Sequence, residues 1–141
     1  MKAFILAAGR GSRISKYIPD IPKCTVDVGG EPLIRRTVGM LLKNKIETTV
    51  IVGYRHAEIE RVLEGLPVHI VYNPFFDVTN SIGSLWMAES AGLFTEDDCI
   101  VANGDVYWSQ EILDFAMKQK EEIILLADSA RVLDGDYFFG T

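Results

Sequence analysis

Five short apolar runs, set apart by segments of helical periodicity, constrain the fold of this chain more than any other feature. They are "KAFILAA" at 2–8, "TTVIVGY" at 48–54, "VHIVYN" at 68–73, "CIVAN" at 99–103 and "EIILLAD" at 122–128. Each reads as a buried strand, and the second is rich in β-branched residues. Between them, "PLIRRTVGMLLKNK" starts at Pro32, which suits a helix start. It spaces Ile34, Val38, Leu41 and Leu42 at i, i+4, i+7 and i+8. "AEIERVLEGL" places Ile59, Val62 and Leu63 on one helical face. "SIGSLWMAESA" follows Asn80 and Ser81, either of which can cap a helix, and "QEILDFAMKQ" follows Ser109, another cap residue. Strands that are apolar throughout and alternate with helices require a parallel sheet covered on both faces. The expected fold is therefore α/β, three-layer α/β/α, with a mostly parallel, Rossmann-like sheet.

A chain of 141 residues suits one domain, and such a domain buries roughly 70% of its unfolded surface without staples. Fourteen basic residues against twenty acidic ones give a net charge of -6. That balance argues against nucleic acid as the main partner but leaves room for a small phosphate ligand held by a local basic cluster. Cys24 and Cys99 are far apart and form no disulfide framework or zinc pattern. Both are expected to be buried and reduced, in a cytoplasmic setting. The N-terminus is too short in apolar residues for a signal peptide or membrane span, so no membrane partner is expected.

Ligands of such sheets bind outside the carboxyl ends of the strands. "AAGRGSR" leaves the first strand there, and "NGDVYW" leaves the fourth. If the two strands are neighbours, the glycine loop faces Asp105 across one crevice. Gly9 and Gly11 let main-chain N–H groups approach an anion, and Arg10, Arg13, Lys16 and Lys23 add charge nearby. The loop has no Gly-Lys-Ser/Thr, and Ile14 stands where a dinucleotide fingerprint has its third glycine, so neither an ATPase P-loop nor an NAD site is indicated. A solvated glycine turn is the alternative.

"LAAGRGSR", then Pro22-Lys23, then "GGEPLIRR" resembles the signature of the nucleotidyltransferase family, in order and within the first 34 residues or so. Within that family, "YNPFFDVTNSIGSLWMA", with Asn80 and Ser84, looks closest to bacterial choline-phosphate cytidylyltransferase-like members, rather than to those acting on sugar phosphates. The resemblance implies transfer of a nucleoside monophosphate, CMP from CTP, to a small phosphorylated acceptor such as choline phosphate. A hexose 1-phosphate acceptor, or a nucleotide-sensing module without activity, is the alternative.

By the same resemblance, Leu6, Ala7, Ala8, Gly9, Gly11, Ser12, Arg13, Lys23, Asn80 and Ser84 bind the nucleotide. Lys23 and Arg13 carry catalysis, and Asp105 binds Mg²⁺. Asn80 can equally be a helix cap, and Ser84 a small packing residue. Related enzymes continue beyond this length and add a second metal carboxylate. Residues 1–141 are thus expected to be the N-terminal, nucleotide-binding portion of a nucleotidyltransferase domain, with poor turnover alone and an exposed sheet edge open to homo-oligomers. Asp134 and Asp136 read as an acidic turn, not as the missing ligand.

The remaining candidates carry less. His56 reads as a loop residue and His69 as a strand residue, and their spacing fits no metal pair. Trp86 reads as core, and "EDD" at 96–98 as a solvated loop. Tyr107 and Trp108 read as aromatics at the sheet rim, where a ring can hold a quaternary ammonium by cation–π attraction.

Overall fold

A computed structural model describes residues 1–10 and 21–127. They fall into two compact units that divide between Tyr107 and Trp108. The first holds a four-stranded parallel sheet in the order β3-β2-β1-β4. The strands are β1 (Lys2–Ala7), β2 (Glu47–Val52), β3 (His69–Tyr72) and β4 (Cys99–Asn103). The helices of this unit are α1 (Leu33–Lys43), α2 (His56–Leu63) and α3 (Ser81–Ser90). Four of the five expected strands form, and β1 and β4 are neighbours, as the crevice required.

The pleat divides the core. Phe4 of β1 and Ile51 of β2 pack with Ala88 of α3, supported by Leu6, Val71, Leu85, Leu93 and Phe94. Phe94 stacks on Phe4 with centroids 4.0 Å apart. Such a contact adds about 0.5–1.5 kcal/mol beyond burial. Successive strand residues face opposite ways, so Ala3, Ile5, Val50 and Val52, all fully buried, serve the other face. There α1 lies against α2 and β2. Helices thus cover both faces of the central strands.

The outer strands are only partly covered. In β4, Cys99 and Val101 are exposed, and in β3 Ile70 and Tyr72 are exposed. Cys99 is therefore not the buried thiol expected from sequence; it lies on an edge strand, on the α3 face, beyond the strands that α3 covers. Trp86 is likewise not core. It is 60% exposed, because α3 has no strong apolar side and turns Ser84, Leu85 and Ala88 inward instead. His56 is the first residue of α2 rather than a loop residue, while His69 lies in β3.

The "GGEP" stretch is a turn. Gly29 and Gly30 take φ of 75° and 97°, conformations that side-chain-bearing residues resist. Gly30 N–H donates to the Asp27 carboxylate at 2.7 Å, and the turn delivers the chain to α1 through Pro32 at its N-cap.

The second unit contains α4 (Gln110–Ala116). Ser109 stands at its N-cap without capping the backbone; its hydroxyl bonds the Glu111 carboxylate, which lowers that group's pKa. The expected fifth strand does not form over 122–127, where Ile123, Leu125 and Leu126 are exposed; Asp128 lies outside the described residues. An apolar run becomes a strand only where a hydrogen-bonding neighbour exists, and none of the described residues pairs with it.

Gly53, at the carboxyl end of β2, is where the sheet meets the next loop. A Cβ there would lie 2.6 Å from the Phe76 Cβ and 2.8 Å from the Ala8 carbonyl oxygen. Gly53→Ala should cost about 1–3 kcal/mol, the usual penalty for forcing atoms into a packed site. Urea unfolding measures it, and an unshifted midpoint would show that the junction has slack.

Candidate active site

The cleft forms where the strand order reverses. β1 pairs with β4 in register Leu6↔Asn103, and the Gly104 N–H donates to the Leu6 carbonyl at 2.8 Å. Open parallel sheets bind ligands at this switch point. A cleft of about 370 Å³ opens there. Leu6 to Gly9 form one wall, Pro22 to Cys24 a second, Asn103 and Asp105 a third, and Phe76 with Thr79 to Ser81 and Ser84 the fourth.

Lys23 sits at the head of a 3-10 turn, Lys23–Thr25, closed by a 2.9 Å bond from Thr25 N–H to Pro22 O. The same carbonyl accepts the Thr25 hydroxyl at 2.7 Å. Behind the turn the Cys24 side chain is buried beside Gly104, where an added Cβ would come within 3.4 Å of the cysteine Cβ. The turn is thereby fixed, and Lys23 Nζ reaches to 3.9 Å from the Asp105 carboxylate. Both side chains keep some solvent contact. The pair is therefore worth little as a stabilising bridge and leaves both charges available to a ligand.

The fourth wall is built around a residue that sequence reading missed. Asn73 directly follows β3 and is fully buried. Its Oδ1 accepts the Phe75 N–H at 2.9 Å, and its Nδ2 donates to Thr79 Oγ1 at 3.0 Å and to Ser84 Oγ at 3.2 Å. Asn80 caps α3, its side chain accepting the Ile82 N–H at 3.0 Å. The capping reading of Asn80 holds, and the residue also lines the cleft. A signal for Asn73 was present: a polar residue closing an apolar strand run at the sheet's carboxyl edge. Asn103 closes β4 in the same way and also lines the cleft.

Of the residues singled out from sequence, Leu6, Ala7, Ala8, Gly9, Lys23, Asn80, Ser84 and Asp105 line this one cleft. Gly11, Ser12, Arg13 and Lys16, and with them the second catalytic candidate, lie outside the described residues, as do Asp134 and Asp136. Arg10 turns aside from the cleft's cations. It donates to Asp77 at 2.8 Å and lies 5.6 Å from the Tyr54 ring centre and 5.8 Å from that of Phe76. Tyr107 already carries a cation, the Arg36 guanidinium 4.5 Å over its ring. Trp108 is buried, so the pair of rim aromatics expected from sequence reduces to Tyr107.

Among the described residues no cluster of three or more acidic, histidine or cysteine side chains could hold a metal by itself. A hard divalent cation does not need one. Mg²⁺ takes one or two carboxylates and completes its shell with phosphate oxygens and water. A lone, half-exposed Asp105 beside a polar cleft fits that donor set.

A family model described as the MobA-like NTP transferase domain matches residues 3–132. A choline-phosphate cytidylyltransferase of Haemophilus influenzae is 34% identical over 113 residues, covering 79% of this chain and 47% of that one. A CTP:phosphoglutamine cytidylyltransferase of Campylobacter jejuni is 28% identical over 135 residues, covering 92% of this chain and 53% of the other. Among solved structures, the CTP:phosphocholine cytidylyltransferase from Streptococcus pneumoniae matches with a TM-score of 0.65 at 30% identity, over 74% of this chain and 44% of that chain. The chain spans about half the length of the curated relatives it matches.

The two thiols give a direct check on the site's geometry. Burial, with the Asp105 charge adding to it, pushes the Cys24 thiol up to about 12, so it carries no thiolate near neutral pH. Cys99 is exposed. An aromatic disulfide reagent at pH 8 should modify Cys99 at once and Cys24 only after denaturant is added. Two equally fast thiols in the native protein would refute the packed turn behind Lys23.

Proposed function

The chain belongs to the MobA-like NTP transferase domain family, and on that premise we propose that it transfers CMP from CTP to a small phosphorylated acceptor such as choline phosphate, releasing pyrophosphate. The observation that carries this reading is the convergence of Lys23 and Asp105, 3.9 Å apart, in one cleft with Gly9 and the start of α3. The similarity to cytidylyltransferases supports the choice of CTP. Residues 1–141 are, on this reading, the nucleotide-binding portion of the domain.

The chemistry is an in-line displacement. An acceptor phosphate oxygen forms a bond to the α-phosphorus, the bond from that phosphorus to the bridging oxygen breaks, and the electron pair leaves with pyrophosphate. No protein nucleophile is needed, and Cys24, buried and protonated, is not one. The barrier lies in bringing two anions together, so positioning and charge neutralisation dominate. Gly9 presents main chain without a side chain in the way. Lys23 exchanges its contact with Asp105 for a phosphate oxygen. Asp105 is the carboxylate we assign to Mg²⁺, which when bound neutralises phosphate oxygens and helps the leaving group depart. Both cysteines are free, which supports a reduced, cytoplasmic setting within the same reading. Among the described residues no helix is long and apolar enough to cross a membrane.

Pyrophosphate release from CTP, UTP, GTP, ATP and dTTP, each with choline phosphate, ethanolamine phosphate or glucose 1-phosphate, tests the assignment. CTP with choline phosphate should give the largest signal; a larger one from a sugar phosphate would replace the acceptor. Lys23→Ala should lower turnover by about 10²–10³-fold, the scale of one lost electrostatic contact in the transition state. A loss under threefold removes Lys23 from the reaction. Asp105→Asn should move the Mg²⁺ titration to higher concentration, and an unmoved curve removes Asp105 as the ligand.

A further inference from the structure

Hydrogen-bond donors and acceptors can be assigned individually in the fourth wall of the cleft. The Phe75 N–H can only donate, so the Asn73 atom that takes it is the oxygen, and the amide nitrogen faces Thr79 and Ser84. That nitrogen can only donate. The Thr79 hydroxyl accepts from it and passes its own hydrogen to the Phe75 carbonyl at 2.9 Å, so it is used on both sides. Ser84 is different. Its oxygen accepts from Asn73, and its hydrogen has no acceptor among the described residues. The side chain is 4% exposed, and the surface it keeps is on the cleft. Asn80 shows the same polarity. Its oxygen is taken by the Ile82 N–H, which leaves its amide nitrogen to donate.

We propose that Asn73 is a positioning residue that makes this wall a donor surface: by occupying the acceptor side of Ser84, it turns the hydroxyl hydrogen into the cleft. The ligand group read there is then an acceptor, a carbonyl oxygen or an unprotonated ring nitrogen. The edge of a cytosine ring carries both, adjacent to one another. Uracil bears an N–H at the corresponding ring position, and that N–H would meet a second donor. The assignment rests on the cleft being the nucleotide site and adds to it a device for selecting the base. Donor against donor leaves two groups unpaired, which discriminates more strongly than a missing contact.

Replacing Asn73 by Asp reverses the wall. Its second carboxylate oxygen can only accept, so Ser84 must donate inward and show the cleft a lone pair. CTP binding in Mg²⁺ buffer, measured by calorimetry on the wild-type chain and on S84A, N73D and the double variant, tests the idea. S84A should bind about three- to tenfold more weakly, the range for one neutral hydrogen bond. N73D should lose more than S84A, because it opposes the ligand instead of merely releasing it. The double variant should bind like S84A, since no hydroxyl remains to be reversed. A purely structural Asn73 would give additive losses instead, and that outcome overturns the proposal. S84A within twofold of wild type also overturns it, and this arm stands even if N73D does not fold. A wild-type chain that binds none of the five triphosphates overturns the underlying site reading, and this assignment with it.

Discussion

The parallel pairing of β1 with β4 is the contact on which the site depends. Leu6 opposite Asn103, tied by the bond from Gly104 N–H to Leu6 O, places two loops from distant parts of the sequence on one rim. The first ends a strand in small residues, and the second turns at Gly104 toward Asp105. Had β4 joined the sheet beyond β3, Asp105 would lie three strands from Gly9. The pairing is possible because the crossover through α3 runs opposite in direction to the two before it, which puts α3 on the opposite face and opens a gap between adjacent strand ends. The helix that covers the second face of the central strands therefore also supplies the cleft's fourth wall.

Support for the walls of the cleft comes from three closely packed residues. Cys24 fills the space beside Gly104 and so fixes the turn that aims Lys23. Asn73 ties the end of β3 to Thr79 and Ser84 and so fixes the approach to α3. Gly53 lets Phe76 lie against the backbone, with Tyr54 N–H bonded to Ala8 O at 3.0 Å. Each keeps one wall from moving, which is what precise charge placement requires.

Most of the fold was legible because burial dictates it. β1 at 3–7 and β2 at 50–52 are apolar because both faces are covered, and α1 shows its inward face as Ile34, Val38 and Leu41. The sheet's outer strands were less legible. Cys99, Val101 and Ile70 have strand-like, apolar neighbours in sequence, yet stand exposed because edge position is a property of topology rather than composition. The run at 122–127 failed for a related reason: strand propensity does not supply a pairing partner. At the cleft, Lys23 and Asp105 were legible as lining residues because each sits in a sequence motif. Asn73 was not, because it is marked by three bonds to residues whose proximity only the fold creates. Trp86 misled because size and apolarity suggest burial, whereas α3 turns its small residues inward.

The contact between Lys23 and Asp105 has a consequence for which charges the cleft favours. At 3.9 Å and partly in solvent, each charge offsets the other only in part, in a protein whose overall balance is already negative. A stray anion that takes the ammonium strands a carboxylate, and a stray cation that takes the carboxylate strands an ammonium. Only a visitor bringing both signs together, spaced to meet the two groups at once, replaces everything it displaces. On the proposed function, that contact suits the cleft to a polyphosphate carrying its own counterion better than to a lone ion of either sign.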